Sequence, residues 1–242
     1  MEQTLTAALL PEIDLYCERE TAAWLDEPLG LASNGAFLVA AWVSARSGAR
    51  PHTASVLWLI ALLAAIGIGS ALFHATATRW ALLMDVIPIQ LFILSALILL
   101  MRTQLSLSIR LTAALVIVFV GLSALLPSPW LNGSAGYLPA WVALATITWL
   151  SQQGNARRWL LRATLLFPVS LTFRTLDLPV CDALPFGTHF LWHLCNAAVL
   201  WMVIEAVKIS SCSANQPEKL HTQIPFTHNL QNNPHPVERK HS

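Results

Sequence analysis

An all-α bundle of seven membrane-spanning helices is the fold this sequence predicts, and three observations predict it. The 242 residues are 55% hydrophobic and only 11% charged, whereas soluble domains carry about 25% charged residues. Seven apolar segments, alone or with their flanks, are long enough to cross a bilayer core. The Lys and Arg residues fall very unequally on the two sides of those segments. A net charge of +1 offers no argument for nucleic acid as a partner.

Residues 1–30 form an acidic segment. Glu2, Glu12, Asp14, Glu18, Glu20, Asp26 and Glu27 set seven carboxylates against Arg19. A basic n-region is missing, and the run Ala7-Ala8-Leu9-Leu10 is too short for a signal-peptide core, so the segment is expected to stay attached outside the membrane. The spans then follow at about Leu31–Ala45, Ser55–Phe73, Trp80–Met101, Ile109–Leu126, Tyr137–Ser151, Trp159–Leu176 and Gly187–Val207. Turn residues or charges separate them: Arg46 to Pro51, Pro127 to Gly136, Gly154-Asn155 and Pro179 to Pro185. Residues 31–208 are therefore the transmembrane domain. Residues 209–242 are polar, rich in Asn, Pro and His, and expected to be a disordered tail. Its His221, His228, His235 and His241 suit either a weak metal tract or a solvated tail.

Charge fixes the orientation. With seven spans, eleven of the fourteen basic residues fall on the side of the C-terminus, and only Arg19, Arg79 and Arg174 fall on the other. Basic loops stay inside, so the N-terminus is expected outside and the C-terminus in the cytoplasm.

That topology gathers the polar residues of the apolar body. His189 and His193, spaced i, i+4, share one helix face at the outer start of the seventh span. His74 ends the second span and Asp85 lies in the first turns of the third, both at the outer side. Ser70 lies one turn before His74 on the same face, about 6 Å along the axis. Ionisable groups at membrane depth are costly and mark function. Three imidazoles with a fourth position open to water are a ligand set for catalytic zinc. Asp85 suits a general base and acid, and Ser70 a donor to a developing oxyanion. Gly67 and Gly69 would let the second span pack closely on a neighbour.

Two further features are less determined by chemistry alone. The outer Asp14-Leu15-Tyr16-Cys17-Glu18-Arg19-Glu20 and Asp26-Glu27 could offer oxygens to calcium, but the spacing is no EF-hand loop, and a solvated acidic segment accounts for it as well. Cys17 and Cys181 both fall outside, where they can form a disulfide or remain two unrelated thiols.

Taken together, Asp14-x-Tyr16-Cys17-Glu18, Glu27 with Ser33-Asn34, Gly67-x-Gly69-Ser70-x-x-Phe73-His74, Asp85-x-x-Pro88 and His189-x-x-Trp192-His193 make the chain resemble the alkaline ceramidase family. That family sits in a wider superfamily of seven-span hydrolases that includes adiponectin-receptor-like proteins. The resemblance covers about Asp14 to Lys208. It implies a zinc amidase that cleaves ceramide, or a related N-acyl lipid, to a base and a fatty acid. It implies His74, His189 and His193 as zinc ligands and Ser70 and Asp85 as catalytic residues. It also implies calcium held by Asp14, the Tyr16 carbonyl, Glu18, Glu20 and Glu27, and a Cys17–Cys181 disulfide. The short loops point to a bacterial member, in the inner membrane with its active site near the periplasmic side.

Two rivals differ in class. A haem protein would use histidines as axial ligands, but i, i+4 rings on one helix cannot straddle one haem. A non-catalytic lipid-binding or receptor-like bundle would keep zinc for structure alone.

Overall fold

The computed structural model describes residues 13–21, 23–47, 52–126 and 130–214, and among these every regular element is a helix. In chain order they are α1 (Pro28–Ser33), α2 (Gly35–Arg46), α3 (Ala54–Thr76), α4 (Arg79–Thr103), α5 (Ile109–Leu125), α6 (Leu138–Leu150), α7 (Asn155–Leu176) and α8 (His189–Ala214). All seven expected segments are helical. The first is α1 and α2 joined through Asn34, which itself has right-handed helical angles.

Four stretches are long and apolar enough to cross a membrane: Pro28–Arg46, Ala54–Thr76, Arg79–Thr103 and His189–Ser211. The others fall short for identifiable reasons. α5 and α6 have 17 and 13 residues. α7 has 22, but Arg157, Arg158, Arg162 and Arg174 interrupt its apolar character. α8 runs several residues past the expected Val207. The remaining tail, with its four histidines, lies outside the described residues, as do residues 1–12.

Local chemistry sets the boundaries. The Thr53 and Ser108 side chains accept the Val56 and Leu111 amides and so cap α3 and α5. Ala77, in the left-handed region at φ 46°, ends α3 and turns the chain back within two residues into α4. Pro88 and Pro168 sit inside α4 and α7, where packed neighbours and the membrane setting tolerate them.

α3 lies along α4, α7 lies along α8, and α2 packs against both α3 and α8. Phe37, Leu63, Ile66, Phe92, Leu100, Leu160 and Ile204 are buried at their shared core. α5 stands at the edge: of its residues only Thr112 is buried, while Ile117 is 72% and Leu125 is 79% exposed. Such a face belongs against lipid. The consequence for the site is directional. The end of α3, the start of α4, the start of α1 and the start of α8 meet at one end of the bundle.

Candidate functional site

The glycine at position 69 decides how close α3 and α4 come. A Cβ built there would lie 1.9 Å from the Met84 carbonyl oxygen. Only glycine allows this backbone approach, and it sets Ser70 of α3 beside Asp85 of α4. Both are buried and line one pocket with His189, His193, Asn196, Tyr137, Trp192 and Arg174.

His74, His189 and His193 are each no more than 5% exposed. They present ring nitrogens that all lie within 4.8 Å of one another, and they are the group of metal-competent side chains found among the described residues. Two of the rings are oriented from behind. His74 Nδ1 faces Glu27 Oε2 in a short contact. The Ser33 hydroxyl, 2.7 Å from His193 Nδ1, donates to the Gly30 carbonyl at 2.9 Å. That hydroxyl must therefore accept from the His193 Nδ1–H, which leaves the lone pair on Nε2. Glu27, an acceptor when ionised, puts the His74 proton on Nδ1 in the same way. The two Nε2 atoms then face each other across 3.3 Å. Two lone pairs at that distance repel unless a cation lies between them. Tetrahedral zinc ligands with bonds of about 2.0–2.1 Å would stand about 3.3 Å apart. His189 Nδ1 is buried with no hydrogen-bond partner among the described residues, as is Asp85 Oδ1. The three donors therefore fit a metal such as zinc. Tyr16 covers the group from outside, its ring stacked on His189 at 3.6 Å between centroids and on His74 at 5.3 Å.

The outer segment is fastened to this end. Cys17 and Cys181 form a disulfide with Cα atoms 5.4 Å apart. Asp177, fully buried, accepts the Cys17 amide at 3.0 Å, the Thr188 amide at 2.7 Å and the His189 amide at 2.8 Å. It thus caps α8 and ties the Cys17 segment to the start of the helix that carries the histidine pair. Gly187, at φ +59°, has no room for a Cβ beside Asp177.

The carboxylates expected to hold calcium are placed apart in function. Glu18 accepts the Leu29 and Gly30 amides at 2.5 and 2.7 Å, capping the start of α1. Glu27 is 1% exposed and divides its oxygens between Arg19 and His74. Asp14 and Glu20 are exposed, and the Tyr16 carbonyl accepts the Arg19 amide at 3.4 Å. Asp26 accepts the Thr21 and Glu20 amides, and these hold its carboxyl below the usual range.

Sequence reasoning missed three residues here. Asn196 continues the His189, His193 stripe at i+7, a signal readable from spacing. Asp177 had no motif to announce it. Arg174 was counted only as an outer charge, yet its guanidinium lines the pocket and lies 5.7 Å from the Tyr137 ring and 6.0 Å from the Trp192 ring.

Fold and site together define a helical membrane protein with a buried three-histidine centre able to hold a metal beside a carboxylate and a hydroxyl. The chain belongs to the ceramidase family, whose sequence model matches residues 16–237. No curated protein matches it. Membership supports a ceramidase-like hydrolase with a lipid substrate, as expected from the motifs.

Proposed function

We propose that this protein is a seven-span, zinc-dependent lipid amide hydrolase acting on ceramide or a related N-acyl lipid. The N-terminus lies outside and the C-terminus in the cytoplasm, with the site near the periplasmic face of a bacterial inner membrane. The observation that carries the proposal is the pair of facing Nε2 atoms of His74 and His193, with both Nδ1 protons committed to Glu27 and Ser33.

His74, His189 and His193 would hold the metal. Bound there, zinc supplies a Lewis acid and brings the pKa of water towards about 7. Asp85 takes a proton from the attacking water and gives it to the departing amide nitrogen as the C–N bond breaks. Its Oδ1, buried and without a partner among the described residues, is free for that exchange. The Ser70 hydroxyl donates to the oxyanion that forms on the carbonyl. Tyr16 and Trp192 shield the reacting carbonyl from bulk water.

A lipid substrate is supported by what lies beneath. The polar pocket shares Ile89, Tyr137 and Asn196 with a narrow cavity of about 50 Å³ lined by Phe92, Leu144, Leu200 and Val203. That cavity in turn shares Leu97 with an apolar hollow between α4, α5 and α6. The acyl chain follows this route away from the histidines. The test is release of fatty acid from a panel of ceramides and other N-acyl lipids by detergent-purified protein of known zinc content. Full zinc occupancy with no hydrolysis of any N-acyl lipid would favour a non-catalytic lipid-binding bundle.

A further inference from the structure

The outer segment already contains a cation where the resemblance implies calcium. Arg19 is 7% exposed. Its Nε donates to Glu27 Oε1 at 2.5 Å. One terminal nitrogen donates to the carbonyls of Thr21 and Ala23 at 3.2 and 3.4 Å, and the other to the carbonyl of His74 at 3.2 Å. One carboxylate and three backbone carbonyls are the oxygen types that a hard cation collects. Here a guanidinium collects them. Calcium would need six to eight oxygens at about 2.3–2.6 Å. A calcium ion at Glu27 Oε1 would stand against the Arg19 guanidinium, a like charge already at hydrogen-bond distance from that oxygen. Glu18 accepts one amide on each oxygen, and Asp26 accepts two amides on Oδ2.

We propose that Arg19 is the resident cation of this site, in place of calcium, and that it positions the zinc ligand His74 through Glu27. A carboxylate buried to 1% exposure needs a positive partner. Arg19 supplies it and also holds the His74 backbone, so one side chain fixes both ends of the Glu27–His74 contact. Arg19 is a positioning residue and touches no reacting atom. The role deepens the zinc assignment above and rests on it.

The test uses full-length protein in detergent and calcium-free buffer. Wild type is expected to take up no radioactive calcium in equilibrium dialysis up to about 1 mM, the weak end of calcium sites. Arg19→Gln is expected to bind zinc 10–100-fold more weakly, the range for losing an orienting partner of a metal ligand. Arg19→Lys, which keeps the charge but not the fork, is expected to fall between Gln and wild type. One calcium bound per wild-type chain would overturn the proposal, as would wild-type zinc affinity in Arg19→Gln or a Lys variant no better than Gln. If Arg19→Gln does not fold, the calcium measurement and Arg19→Lys still decide. Failure of wild type to bind zinc at all would instead sink the metal assignment beneath it.

Discussion

Replacing Gly69 with alanine should separate Ser70 from Asp85, the two halves of the proposed catalytic pair. The added Cβ would stand 1.9 Å from the Met84 carbonyl oxygen, 2.5 Å from its carbon and 3.1 Å from the Asp85 amide, where ordinary contact begins at 3.4 Å. The obstacle is backbone, which cannot rotate aside, so α3 and α4 must part by about 1.5 Å. Overpacking of this kind costs about 1–3 kcal/mol or somewhat more. The displaced atoms adjoin Asp85, so the carboxylate moves relative to Ser70 and the histidines. A shift of about 1 Å at reacting groups costs on the order of 10²-fold in rate. Fatty-acid release and thermal unfolding of the purified variant measure both effects. Gly121→Ala is the control, since nothing lies within 4 Å of a Cβ there. It should leave activity unchanged and stabilise α5 by up to about 1 kcal/mol. A Gly69→Ala protein that melts within about 0.5 kcal/mol of wild type and keeps half its activity would refute the reasoning.

Three further outcomes are expected. Asp85→Asn should keep the wild-type zinc content and lose at least about 10²-fold in amide hydrolysis; loss of the metal instead would mean Asp85 has a structural part. Ser33→Ala removes the hydroxyl that accepts from His193 Nδ1, so zinc affinity should fall about 10-fold or more, measured by competition with a chelating dye. Asp177→Ala strands the amides of Cys17, Thr188 and His189, of which only the last bond is fully buried, and should destabilise the protein by about 3 kcal/mol or more, from about 1 kcal/mol upward for each donor left unpaired. Unchanged thermal unfolding of that variant would show that the cap contributes nothing.

The helical segments were legible because apolar length and sparse charge are local properties. The expected and observed boundaries differ by a few residues, chiefly where polar residues extend a helix, as Arg157 and Arg158 do at the start of α7. The histidine trio was legible because helices that alternate in direction bring the end of α3 to the starts of α4 and α8. The linkages behind it were not. That Glu27 turns towards His74 rather than outward depends on where α1 enters the bundle, which no spacing encodes. Asp177 reads as one more loop carboxylate until the fold brings three amides to it. Arg19 reads as a lone positive charge in an acidic segment, and only burial reveals it as the partner of Glu27.

Metal analysis of the purified protein tests the central claim most directly. The wild type should carry about one zinc per chain, and His74→Ala, His189→Ala and His193→Ala should each lose the metal together with fatty-acid release. A wild type without metal, or a His74→Ala variant that retains its zinc, would contradict the three-histidine centre.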